Sequence, residues 1–247
     1  MSPARGKAAS SRSAAGRQSS GEQANGRKQA NSGKQTAGRQ ANGKAATDKR
    51  RLILDAAVRV FARQGFHSCR VSDIADEAGV AYGLVYHYFA SKDEVLDTLF
   101  LERWNIMLET IREVDGQEIV AREKLYAIVS FIVDSYRHDP DLMKVIIVEV
   151  TRAANSFGQT HLAQIREAFR LIAEIVTKAQ ANGDFKPEIV AEFAAITFYG
   201  AIEQVLTGWI FGLLPDGDEH FEQAKTLVVE MVCGGLEATA AGNTLPG

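Results

Sequence analysis

From Leu52 onward, apolar residues recur every three or four positions, the period of a helix that packs along one face. Leu52, Ile53, Ala56, Val60 and Phe61 form the first stripe. They predict a helix over 48–64, capped by Asp48 and ended by Gly65. Val71, Ile74, Ala75 and Ala78 make a two-turn stripe that Gly79 closes, and Val85 and Phe89, four apart, predict a third short helix on the same core. Ser91-Lys92-Asp93-Glu94 reads as a capping box, Ser91 at the N-cap and Glu94 at N3. It opens a longer helix through Val95, Leu96, Leu99, Phe100, Trp104, Met107 and Leu108 to about residue 114. Further stripes predict helices over 121–138, from Asp139-Pro140 through Val145, Ile146 and Val150, over 160–182, from Pro187 to about 211, and over 218–239. No Val/Ile/Thr run alternates between turns, so no sheet is expected. The pattern describes an all-α chain of about nine helices: three in an N-terminal module, one connector and five in a C-terminal domain.

The second and third helices meet at a tight turn, and the third presents Tyr82, Tyr86, His87 and Tyr88 away from Val85 and Phe89. A short helix that offers tyrosines and a histidine to water has something to bind. A helix-turn-helix presents its second helix to the DNA major groove in this way. Tyr86 suits a phosphate oxygen or a base edge, and Gly83 allows close approach to the groove. Tyr82 and His87 are the candidate base readers. Lys92 at a helix N-terminus is unfavourable beside the helix dipole, which points to a phosphate partner. Phe89 is expected in the core; Tyr88 fits either core or interface.

Charge changes the picture upstream. Residues 1–46 hold nine Lys or Arg and one acid, whereas residues 99–247 hold twelve bases and twenty-two acids. The overall net charge of −3 therefore hides a basic tail on an acidic body. The tail repeats Gln-Ala-Asn-Gly-like units and has no Leu, Ile, Val, Phe, Trp or Tyr. Such a segment cannot bury enough apolar area to offset its ordering entropy, so disorder is expected. It reads either as a flexible cationic arm for DNA or as a solvated tail. The two cysteines, Cys69 and Cys233, stand far apart in no metal spacing, which fits a reducing cytoplasm. The five histidines are scattered, no nucleophile–base pair or phosphate loop is visible, and no apolar run is long enough for a membrane span. No catalytic residue, metal or cofactor is assigned.

Asp73-Ile74-Ala75, Ala78-Gly79-Val80 and Gly83-x-x-Tyr86-x-Tyr88-Phe89-x-x-Lys92 together resemble the N-terminal domain of the TetR family of bacterial transcriptional regulators, from about residue 48 to 101. The resemblance implies DNA contact at Tyr82, Gly83, Tyr86, His87 and Lys92. Two departures matter. Arg70 stands where the family has Thr or Ser, so a cap oxygen is lost and a guanidinium is gained for phosphate or guanine. Ser72 or Ser68 can partly replace that cap. Ala81 stands where Ser often precedes the recognition helix, leaving it without a side-chain cap. The DNA-binding set is thus Arg70, Ser72, Tyr82, Gly83, Tyr86, His87, Tyr88 and Lys92.

Beyond residue 101 the resemblance implies a ligand-binding and dimerisation domain. Trp104, Met107, Phe131, Tyr136, Met143, Phe169 and Phe198 could enclose an apolar ligand, although such a set at helical spacing also makes plain core. Polar residues among them, including Tyr136, Thr197, Tyr199 and Glu203, read as pocket-lining or as satisfied core groups. Small residues on the last two helices, with Phe193, Gly200, Val228 and Met231, suit close packing; family members dimerise there as a four-helix bundle.

The expected organisation is a basic tail over 1–46, a DNA-binding domain over 47–101 and a helical ligand-binding and dimerisation domain over 102–247. The expected function is a cytoplasmic, homodimeric repressor of a palindromic double-stranded operator, released by a small effector. The aromatic content suits an apolar effector such as a fatty acyl thioester. The alternative is an architectural, nucleoid-type DNA-binding protein dominated by its tail.

Overall fold

The computed structural model describes residues 46–150 and 159–237. The chain divides at Arg50 into two units. Of the first, only the helical residues 46–50 are described; the second contains all the packing discussed below. The helices are α1 (46–64), α2 (Val71–Ala78), α3 (Tyr82–Tyr88), α4 (Lys92–Asp115), α5 (Ala121–His138), α6 (Pro140–Lys144), α7 (Gln159–Asn182), α8 (Ala191–Ile210) and α9 (Asp218–Leu236). Among the described residues the sole β pairing is an isolated bridge between Phe185 and Glu237. No described helix is long and apolar enough to cross a membrane.

Two buried clusters organise these helices. One gathers Ile53, Val60, Phe61, Ile74, Val85, Phe89, Leu96 and Leu99 from α1 to the start of α4, together with Val145. The other runs from Phe100 through the rest of α4 into α5, α7, α8 and α9. The boundary therefore falls between adjacent residues of one helix, Leu99 and Phe100. A helix has no joint there, so α4 is a rigid rod shared by both cores.

Several local expectations change. Helix α1 already includes residue 46, so Asp48 lies inside it rather than at its cap. Pro187 does not open α8, which starts at Ala191. Buried Phe185 and the bond from Lys186 N to Leu236 O hold the intervening segment against α9, and the Gln180 amide donates to the carbonyls of Lys186 and Ile189. That segment's polar groups are thus met without helix. After Asp139, whose carboxylate accepts from Leu142 N at 3.0 Å, α6 lasts five residues and continues as a π-helical turn, Val145–Val150. Such wide turns are uncommon and gather at functional sites. The basic tail up to residue 45 lies outside the described residues.

Candidate DNA interface and effector cavity

Helix α2 owes its start to Asp73, whose carboxylate accepts from Arg70 N at 2.7 Å. This is the reciprocal half of a capping box: it satisfies the N–H of Arg70, while Arg70 brings no side-chain oxygen to the first turn. The Arg70 side chain stays exposed and Ser72 is half-buried. Gly79 ends the helix at φ 64°, a left-handed conformation glycine adopts without strain, and Ile74, Ala75 and Ala78 face the core. Helix α3 begins at Ala81 with no side-chain cap. It is held instead by Val85 and by Phe89 just beyond it, 1% and 3% exposed.

This anchoring decides what α3 shows outward. Tyr82 and Tyr86 are 53% and 45% exposed, and Gly83 and His87 are exposed beside them. A Cβ at Gly83 would meet nothing within 4 Å, so no neighbour within the subunit calls for glycine there. Tyr82 Oη donates to Tyr86 Oη at 3.1 Å and the rings meet edge-on at 5.1 Å, so the two phenols form one braced pair. Tyr88 is half-buried and packs on the core, with its ring against His87 at 5.0 Å.

Lys92 stands apart from this face. Its Nζ donates to the carbonyls of Phe66, His67 and Cys69 at 2.8, 3.4 and 3.1 Å, and lies 4.5 Å from the centre of the Phe66 ring. An ammonium has three donors, and all three are engaged by the loop between α1 and α2. The cation thus sits at a helix N-terminus because loop carbonyls satisfy it; no phosphate is required. Lys92→Met is expected to leave those carbonyls unmet and to cost roughly 1–3 kcal/mol. The melting temperature should fall by several degrees, with little change in the salt dependence of operator binding. An unchanged melting temperature together with a shallower salt slope would return Lys92 to the phosphate role.

In the second cluster four helical faces converge on a narrow cavity of about 30 Å³, part of it open to solvent. Arg103, Trp104 and Met107 face it from α4, and Phe131, Ile132 and Ser135 from α5. Met143, Ile146 and Ile147 enter from α6 and the π-turn, and Tyr199, Ile202, Glu203 and Leu206 from α8. Its lining, mainly apolar with a few polar groups, has the character of a small-molecule site. Of the residues expected here, Trp104, Met107, Phe131 and Met143 line it and the other three do not. Tyr136 stacks on Trp209 at 5.6 Å, Phe169 meets the Tyr199 ring from outside at 5.5 Å, and Phe198 is wholly buried. Helical phase explains the last case: 199, 202, 203 and 206 form one stripe of α8, and 198 lies beside it. Burial disfavours the Arg103 guanidinium charge, partly offset by Asp139, and raises the Glu203 carboxyl and the Tyr199 phenol above their ordinary values.

Helices α8 and α9 carry a third feature. Phe193 and Ile196 are 68% and 53% exposed, and Leu227 and Met231 are 53% and 71%. Gly234 and Gly235 are exposed on α9, and a Cβ at Gly200, Gly234 or Gly235 would meet nothing within 4 Å. An apolar groove runs between the two helices. Val228 belongs to its floor: it is 5% exposed and packs in the subunit's own core, so it is not an outward contact as its sequence position suggested. Cys233 is fully buried, and burial pushes its thiol up to about 11. Among the described residues no three His, Cys, Asp or Glu side chains gather as a metal site.

Residues 53–99 match the model of bacterial regulatory proteins of the tetR family, and residues 100–229 match that of the YsiA-like protein C-terminal region. The chain belongs to the TetR family. The two matches meet where the buried core divides, between residues 99 and 100. The fatty acid metabolism regulator protein of Bacillus subtilis is 29% identical over 184 residues, spanning 74% of this chain and 93% of its own. The transcriptional repressor KstR2 of Rhodococcus jostii is 26% identical over 147 residues, 59% of this chain and 72% of its own. The structure of FadR from Bacillus subtilis in complex with stearoyl-CoA superposes with a TM-score of 0.65 at 26% identity, covering 74% of this chain and 97% of that one. This TetR-family chain is a regulator of transcription, and a match that spans both of its cores disfavours the architectural, tail-dominated alternative.

Proposed function

We propose that this regulator is a homodimeric repressor that sets α3 of each subunit in the major groove of a palindromic operator, and releases it when an acyl thioester enters the cavity. In this reading residues 47–101 read DNA, residues 102–247 bind effector and partner, and the protein works in the bacterial cytoplasm. The observation that carries it is the double allegiance of the segment after Asp139. Met143, Ile146 and Ile147 wall the cavity, whereas Val145 between them is fully buried in the DNA-side core. Lys144 Nζ donates to Ala62 O on α1 at 2.8 Å. A molecule that displaces this wall has to move Val145 and Lys144, because packed cores shift between arrangements rather than deform smoothly. Helix α4, with Trp104 on the cavity and Leu96 in the DNA-side core, supplies a second route.

The cavity's apolar walls and Arg103, the one cation among its described lining residues, suit an amphipathic acid derivative. The stearoyl-CoA complex of the Bacillus subtilis relative supports the same class. Operator selected from a random DNA pool and labelled for fluorescence anisotropy tests the proposal. Saturating stearoyl-CoA is expected to weaken binding by roughly 5–150-fold, the usual range of allosteric coupling. An unchanged dissociation constant and an unchanged melting temperature would exclude stearoyl-CoA as the effector.

A further inference from the structure

Tyr199 and Glu203 line the cavity, both half-buried, and no hydrogen bond holds either side chain among the described residues. They lie one turn apart on α8, so phenol and carboxyl stand side by side on one stripe. The Tyr199 ring is fixed from two sides, by Trp104 at 5.9 Å and Phe169 at 5.5 Å, which leaves its hydroxyl little freedom to seek another partner. Around them the wall is Trp104, Ile202, Leu206, Met143 and Ile146. Partial burial in such a wall disfavours the charged carboxylate of Glu203.

We propose that Tyr199 and Glu203 form a reading point for a hydroxyl on the effector's hydrocarbon body, so that the effector is a hydroxylated acyl thioester rather than a saturated one. The inference depends on the effector reading above. A hydroxyl is the complementary group because it donates and accepts at once. It can donate to the Glu203 carboxyl while it accepts from the Tyr199 phenol. A saturated chain leaves both groups unmet, and a site built to bond a hydroxyl discriminates strongly against the analogue that lacks it. Arg103 stands on a different helix, α4, and remains available to an anionic part of the same molecule.

The test is calorimetric titration of the full chain with stearoyl-CoA and its 3-hydroxy, 10-hydroxy and 12-hydroxy counterparts. At least one hydroxylated ligand is expected to bind about tenfold tighter than stearoyl-CoA. Glu203→Leu should reverse that order, tightening stearoyl-CoA and weakening the hydroxylated ligand, while Glu203→Gln should keep it. Tyr199→Phe retains the ring contacts, so it should fold and show a reduced preference even if Glu203→Leu does not fold. Equal affinity for all four ligands in the wild type, or a preference that survives both Glu203→Leu and Tyr199→Phe, overturns the reading point and leaves the acyl effector standing. A wild-type chain that binds none of the four overturns both.

Discussion

A Phe193→Asp/Met231→Asp double variant is expected to be a folded monomer that no longer binds its operator tightly. Both side chains are more than two-thirds exposed on the subunit, so their replacement removes little of its own core. With Ile196 and Leu227 they form one apolar face across α8 and α9, larger than isolated exposed residues need explain. A twofold interface uses the same patch from each subunit, so every substitution is met twice. Four carboxylates would then be desolvated in one apolar contact, a cost such an interface cannot offset. Losing the second half-site removes the gain from linked binding, which is on the order of 10²–10⁴-fold in affinity. Sedimentation velocity at micromolar concentration decides the first part and anisotropy the second. A full dimer with intact circular dichroism would place the interface elsewhere. A charge at Val228 would be a poor probe, because that side chain is buried within the subunit and its replacement would damage the fold itself.

Tyr82→Ala and Tyr86→Ala are each expected to weaken specific operator binding about tenfold or more and leave the melting temperature nearly unchanged. Both rings are exposed, and the residues that hold α3 in place, Val85 and Phe89, lie on its other side. A side chain that reads a base edge contributes about 1–3 kcal/mol of discrimination. The two phenols also brace each other at 3.1 Å, so the losses should not add. A double-mutant cycle should return a coupling of roughly 0.5–3 kcal/mol, as contacting residues do. Equal weakening on operator and on random DNA would make the pair a backbone contact rather than a sequence reader. Full affinity in both single variants would remove the pair from the interface.

The features legible in the sequence were those set by neighbours along the chain. Apolar spacing marked every helix, because a helical stripe depends only on residues three and four apart. Ser91 did become an N-cap, accepting from Glu94 N, and Asp139-Pro140 did start α6, since caps too are local. The outward face of α3 followed from Val85 and Phe89 alone. Tertiary structure decided what depends on distant partners. Lys92 read as a cation waiting for phosphate, and only the loop carbonyls 23 to 26 residues upstream show how its donors are met. Tyr136, Phe169 and Phe198 had the right character for a pocket, but the phase of one helix against another put Arg103, Ile132 and Ile202 on the cavity instead. Val228 and Met231, three residues apart on α9, differ between 5% and 71% exposure. Periodicity states that a helix has two faces; which one meets its own subunit, a ligand or a second copy is settled by the surfaces that fold against it.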